Sequence, residues 1–168
     1  MLELRLCKVV MAASLAAFAD IVAIDNIIDY GSNYKFVSHV LSMDTTFADN
    51  SLRWRAITEP MLWQAAYWAI IIGEALTGIG YTIGCIALLR RLRASGAAFN
   101  RSKRFVYMAT AIGFLVWFFA FMVIGGEWFS MWQSPTWNGQ QAAFRFYAAV
   151  LGVGIFIALE DRDLREPG

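Results

Sequence analysis

Apolar residues along this chain gather into four long runs separated by polar connections. About twenty consecutive apolar residues cross a hydrocarbon core of ~30 Å as a helix, the form that satisfies its own backbone there. The runs therefore predict membrane-spanning helices over residues 8–28, 61–89, 105–125 and 142–159, joined by connections at 29–60, 90–104 and 126–141. The expected fold is all-α: one membrane domain over residues 1–168, an antiparallel four-helix bundle with small residues at its contacts. A small periplasmic cap of short helices and loops would close one end.

The second run, Met61 to Leu89, organises the others. Gly73, Thr77, Gly80 and Gly84 recur at helical spacing, share one face, and predict a groove for another helix. Glu74 sits beside that groove. At 1.5 Å per residue it lies ~18 Å from the end near Leu62, close to mid-bilayer, where a carboxyl must face protein or trapped water.

Arg5 and Lys8 precede the first run. Ala17-Phe18-Ala19 before Asp20 imitates a signal-peptide cleavage site, but apolar sequence continues to Ile28 and favours a retained helix. Ala12, Ala16, Ala19 and Ala23 form a small-residue face, with Asp20 on it. Asp20 lies ~12 Å from the Ile28 end and so within about a turn of Glu74 in depth; close packing would bring the two carboxyls near enough to share a proton. A protonated Asp20 that hydrogen-bonds a neighbouring helix is the plainer reading. Asp25 and Asn26, nearer the end, read as a polar collar.

The connection from Asp29 to Glu59 is too long to be structureless. Ser32 or Asn33 would cap one short helix with Phe36, Val37, Val40 and Leu41 on one side, and Asp49 or Asn50 a second carrying Leu52 and Ile57. His39 and Met43, four apart, are too few ligands for a metal.

In the third run Phe114, Trp117, Phe118 and Phe121 repeat at helical spacing, a stripe that packs on neighbours or lipid or lines an apolar pocket. Trp128, Trp132 and Trp137 then mark a membrane interface, and beside Glu127 they could stack on a sugar or a quinone ring. Ala148 and Gly152 are the small pair of the fourth run. Arg145 near its start can snorkel or reach Glu127, Asp25 or Asp29. The tail from Glu160 is polar and expected to fray.

Charge orients the bundle. Of the fourteen Lys and Arg, ten fall on one side: Arg5, Lys8, six between Arg90 and Arg104, Arg162 and Arg165. The other side holds Lys35, Arg53, Arg55 and Arg145, so both termini and the basic loop are expected in the cytoplasm. The 168 residues are 59% hydrophobic and 16% charged, far below the ~25% charged of a soluble domain. A net charge of +1 without a basic, aromatic-interleaved stripe predicts no nucleic-acid partner. Cys7 and Cys85, each near a basic helix end, read as free thiols.

By its loops the chain resembles a known family. DYGSNYKFVSHVLSMDTTF, LRWRAI, AAYWAIIIGEALT and FMVIGGEWFSMWQSPTWNGQQAAFRF are similar to the bacterial predicted small integral membrane proteins grouped as a domain of unknown function. The resemblance covers nearly the whole chain. It implies four transmembrane helices, a bacterial inner membrane and a retained first helix. Asp25-Asn26 stands where the family reads paired asparagines, and Asp20 where it is commonly apolar. Glu74, Glu127 and the tryptophan loop match the family pattern. The resemblance implies no activity, substrate or cofactor.

No nucleophile motif, phosphate loop, haem histidine pair or metal-ligand spacing is present, so neither a catalytic residue nor a cofactor is assigned. The first functional reading is a non-enzymatic binding or accessory protein working through Asp44, Thr45, Thr46, Trp54, Glu127, Trp128, Trp132, Trp137 and Arg145. Its partners would be membrane lipids and a membrane-protein complex or further copies of itself. The second is a small proton- or ion-coupled transporter or channel with Glu74, helped by Asp20, as the ionisable site. The third is an accessory component of a redox chain that binds quinone at Glu127 and the tryptophans.

Overall fold

The computed structural model describes residues 1–164, and its long helices follow from the runs above, whereas the short α4 falls in the basic connection read as a loop. Helix α1 spans Leu2–Ile28, α2 Tyr30–Ser42, α3 Pro60–Arg90, α4 Gly96–Ser102, α5 Arg104–Phe114 and α6 Gln140–Ala158. From Leu115 to Trp128 the chain continues beyond α5 as a π-helix. Four of these stretches, Leu2–Ile28, Pro60–Arg90, Gly96–Trp128 and Gln140–Ala158, are long and apolar enough to cross a membrane.

Against lipid there is no hydrophobic gain in bringing helices together, so close fit must hold them. The glycine face of α3 supplies it. A β-carbon on Gly84 would meet Val106 Cγ2 at 2.7 Å, one on Gly80 would meet Ala109 at 3.0 Å, and one on Gly113 would meet Thr77 at 3.0 Å. Gly73 lies against Val116 in the same ladder, so the helix predicted to fill the α3 groove is α5 with its continuation. The opposite side of α3 packs on α1: late α1 meets early α3 at Asn26 and Tyr67, and early α1 meets late α3 at Val9 and Cys85. Ala12, Ala16, Ala19 and Ala23 are all buried there. Trp117, buried between Phe18 and Phe146, ties the third span to α1 and α6.

Several expectations are corrected. In α6 the close contact is Gly154 against Thr110, whereas Gly152 of the predicted small pair faces open space. Helix α2 starts at Tyr30 without a side-chain cap, a single residue after α1 ends, because Asp29 alone breaks the helical path. The second short helix after Asn50 reduces to a 3₁₀ turn, Arg53–Arg55, since Ile57 N–H bonds to Leu41 C=O and pulls the chain straight.

The tail is docked rather than frayed as far as Leu164; Arg165 and the residues after it lie outside the described part. Asp161 is 5% exposed and accepts hydrogen bonds from Lys8 Nζ and Lys103 Nζ, both at 2.6 Å. Both lysines also donate to Leu159 C=O, while Arg5 donates to the carbonyls of Leu92, Ala94 and Arg162. Three residues that entered the sequence reading only as positive charges are thus buried and fasten the C-terminal segment under the helices.

Candidate functional site

The polar connections 29–59 and 129–139 come together at one end of the bundle, the loop end. Thr45 Oγ1 donates to Ser134 Oγ at 2.7 Å, Asn50 Nδ2 to Gln133 Oε1 at 2.9 Å, and Arg55 Nη1 to the Trp128 carbonyl at 3.2 Å. Among the described residues Met43 and Ser130, one in each connection, are the non-glycine residues with positive φ, both at 52°. A left-handed backbone costs a residue with a β-carbon about 1–2 kcal/mol. Met43 and Ser130 are buried, which holds both bends in place.

Of the cap residues named from sequence, most are drawn into this stitching. Asp44 accepts from His39 Nδ1 at 2.6 Å, and the His39 ring stacks on Trp137 with centroids 4.5 Å apart. Thr46 Oγ1 donates to the Met43 carbonyl. Met43 turns inward and is buried, so it does not join His39 in a ligand pair. Trp54, 72% exposed, meets Trp128 edge-on, and the Arg55 guanidinium lies 4.4 Å from the Trp128 ring centre. Trp132 meets Phe47 edge-on. Glu127 is exposed, and Arg145 borders a shallow pocket with Gln140, Gln141 and Phe144; among the described residues neither forms an ion pair.

Next to this surface lies a cavity of about 390 Å³ between α2, α3 and the third span, open on the side where Ala69 and Leu115 are exposed. Its wall includes Val37 and Val40 of α2, Ala69 and Ile70 of α3, and Leu115, Ala120 and Gly125 of the π-helix, with Val116 and Phe121 beside them. No lining side chain carries a polar group. The winding explains the wall. In an i→i+5 helix residues five apart stay near one face, so Leu115 neighbours Ala120 and Ala120 neighbours Gly125, whereas an α-helix would turn each pair about 140° apart. Of the aromatic stripe, Phe121 alone reaches the cavity, and Phe114 and Phe118 stack on one another and meet Tyr147 edge-on.

Glu74, 3% exposed, faces α1 rather than this cavity. Asn26 Nδ2 donates to Glu74 Oε2 at 2.6 Å, and Tyr67 OH donates to the Asn26 carbonyl at 2.9 Å. Exposed Asn33 donates to Asn26 Oδ1, so a polar chain runs from the buried carboxyl to the loop end. Asp20 is not part of it. Its carboxyl lies against Gly78 and accepts from Thr82 Oγ1 at 3.2 Å, on the flank of the bundle. Asn26 and Asp20 are six residues apart, ~9 Å along α1, which separates the two acidic sites.

The partners that sequence reasoning missed were Asn26, Asn33, Tyr67, Ser134 and Gln133. Asn26 carried a signal: the Ala12, Ala16, Ala19, Ala23 face steps by four and three, and its next step lands on residue 26. Tyr67, Ser134 and Gln133 had none, because their partners are distant in sequence, and Asn33, seven residues from Asn26, reads from sequence as a helix cap.

Compared with known proteins, residues 4–160 match the family described as "Predicted small integral membrane protein (DUF2165)". No curated protein and no solved structure matches the chain.

Proposed function

The chain belongs to the family of predicted small integral membrane proteins, and from that premise we propose that it is a non-enzymatic binding or accessory protein of a bacterial inner membrane. On this reading the four spans run antiparallel, both termini and the basic loop are cytoplasmic, and the loop end is a periplasmic cap. The cavity under the cap receives the apolar body of a membrane-soluble molecule, a lipid acyl or isoprenoid chain.

The observation that carries the reading is the cavity itself. At about 390 Å³ it is within the usual range of small-molecule sites. None of its lining side chains is charged or titratable, which suits retention of an apolar chain. Glu127, Trp128 and Trp132 do not line it, so a quinone in this cavity would not meet them. Delipidated protein should gain thermal stability on addition of dodecanol or farnesol, as any ligand of the folded state produces. Ala69→Phe, which fills the cavity, should abolish the gain. An equal gain in wild type and variant would count against the cavity as the site.

A second reading, proton-coupled transport, is favoured by the chain from Glu74 through Asn26 to Asn33. It supports exchange with the loop end. Toward the other end α1 and α3 meet through Ala12, Ala16 and Ala19, which carry no proton, with Asp20 and Thr82 on the flank. Proton flux in proteoliposomes that is unchanged by Glu74→Gln would sink this reading.

A further inference from the structure

The basic residues of this protein divide into two sets. Arg5, Lys8 and Lys103 are fully buried and spend their hydrogen bonds on backbone carbonyls and Asp161. Arg90 and Arg91 at the end of α3, Arg101 on α4 and Arg104 at the start of α5 are exposed, and all four border one concavity of about 410 Å³. Among the described residues none of these four guanidinium groups has a hydrogen-bond or ion-pair partner, and no carboxylate lines the concavity. The positive-inside tendency explains why arginines stand at this end of the helices. It does not explain why they ring a single hollow.

The floor of that hollow is Ala87 and Phe105. One turn further along the helices, Ile83, Ile86 and Met108 are exposed, so an apolar track leads from the arginines onto the membrane-facing surface of α3 and α5. A guanidinium fork fits phosphate oxygens in pairs, and its charge does not titrate. From this juxtaposition we infer that the four-arginine hollow binds the phosphodiester headgroup of an anionic phospholipid, with the acyl chains lying on the Ile83, Ile86 and Met108 track. The site shares no lining residue with the cavity at the loop end, and about four turns of α3 separate Gly73 of one from Ala87 of the other. It accounts for four cations without a carboxylate partner, one of them, Arg104, over the Phe105 ring at 4.7 Å, at a membrane boundary where basic pockets between helices meet anionic lipid.

The test is native mass spectrometry of the full chain in non-ionic detergent, titrated with phosphatidylglycerol, phosphatidylcholine or inorganic phosphate. Wild type should retain one phosphatidylglycerol in preference to phosphatidylcholine, and millimolar inorganic phosphate should not displace it. Each lost arginine should weaken retention roughly fivefold, so Arg90→Gln with Arg101→Gln should weaken it roughly 25-fold. Arg93→Gln is the control: it removes the same charge from the same loop, but Arg93 does not border the hollow. Arg101→Lys with Arg104→Lys, which keeps the charge and loses the fork, should give a partial loss and guards against misfolding of the glutamine variant. Equal weakening by Arg93→Gln, no weakening by the double variant, or full displacement by inorganic phosphate would overturn the assignment.

Discussion

Asn26 holds more of the loop-end polar network than Glu74 does. It donates to the Glu74 carboxyl and accepts from Tyr67 and Asn33. Replacing it by alanine strands the buried Glu74 carboxyl, at a cost of about 1–3 kcal/mol, whereas the Tyr67 hydroxyl keeps its bond to the backbone carbonyl of residue 26. Glu74→Gln keeps an oxygen that can accept from Asn26 and should cost less than about 1 kcal/mol. Unfolding of both variants in detergent checks the order. At the other end, burial alone would push the Asp161 carboxyl up, but hydrogen bonds and charge from Lys103 and Lys8 outweigh it and hold it below its ordinary 3.8. A carboxyl more acidic in the folded state contributes its full stabilisation above the ordinary aspartate range and loses it as pH falls through the lower folded value. Asp161→Asn should therefore cost about 3–5 kcal/mol at neutral pH, the penalty of breaking a buried pair. The thermal difference from wild type should stay constant above about pH 5 and close below about pH 4. Sequence alone could not reveal Asp161: it lies in a charged tail, and its two lysines are 153 and 58 residues distant.

At the scale of elements, the α3 groove was legible because its cause is local. Glycine and threonine at helical spacing make a flat face whatever helix fills it, and the structure names that helix as α5. In α6 the spacing of small residues misled, because Ala148 and Gly152 are as well spaced as residues that do pack. The difference is measurable. A β-carbon on Gly154 would meet Thr110 at 2.8 Å, whereas nothing lies within 4 Å of one on Gly152. Gly154→Leu should destabilise by about 1–3 kcal/mol through overpacking. Gly152→Ala should be neutral or stabilising by up to about 1 kcal/mol, as alanine favours the helix. The π winding of Leu115–Trp128 was not legible, since its aromatic spacing fits an α-helix equally well. Yet this winding aligns the cavity wall.

Over the whole molecule, the four spans, the concentration of basic residues at one end and the family all follow from hydropathy, charge and loop motifs. The cavity does not, because its wall is assembled from three elements whose apolar residues look like ordinary packing until they are brought together. The proposed orientation makes a direct prediction. Alkaline phosphatase fused after Asp49 should be active, and the same fusion after Ser95 inactive; the reverse pattern would invert the bundle. Retention of α1 belongs to the same scale: cleavage after Ala19 would remove Arg5 and Lys8 and leave Asp161 with Lys103 as its one lysine partner.

The central claim is that the cavity under the loop end holds an apolar molecule. Its most direct test is native mass spectrometry of protein gently extracted at its natural expression level, beside Ala120→Phe, whose ring would occupy the cavity. The account predicts one apolar molecule per wild-type chain, freed on activation, and none on the variant. A wild-type chain that emerges bare, or the same mass retained equally by both, would contradict it.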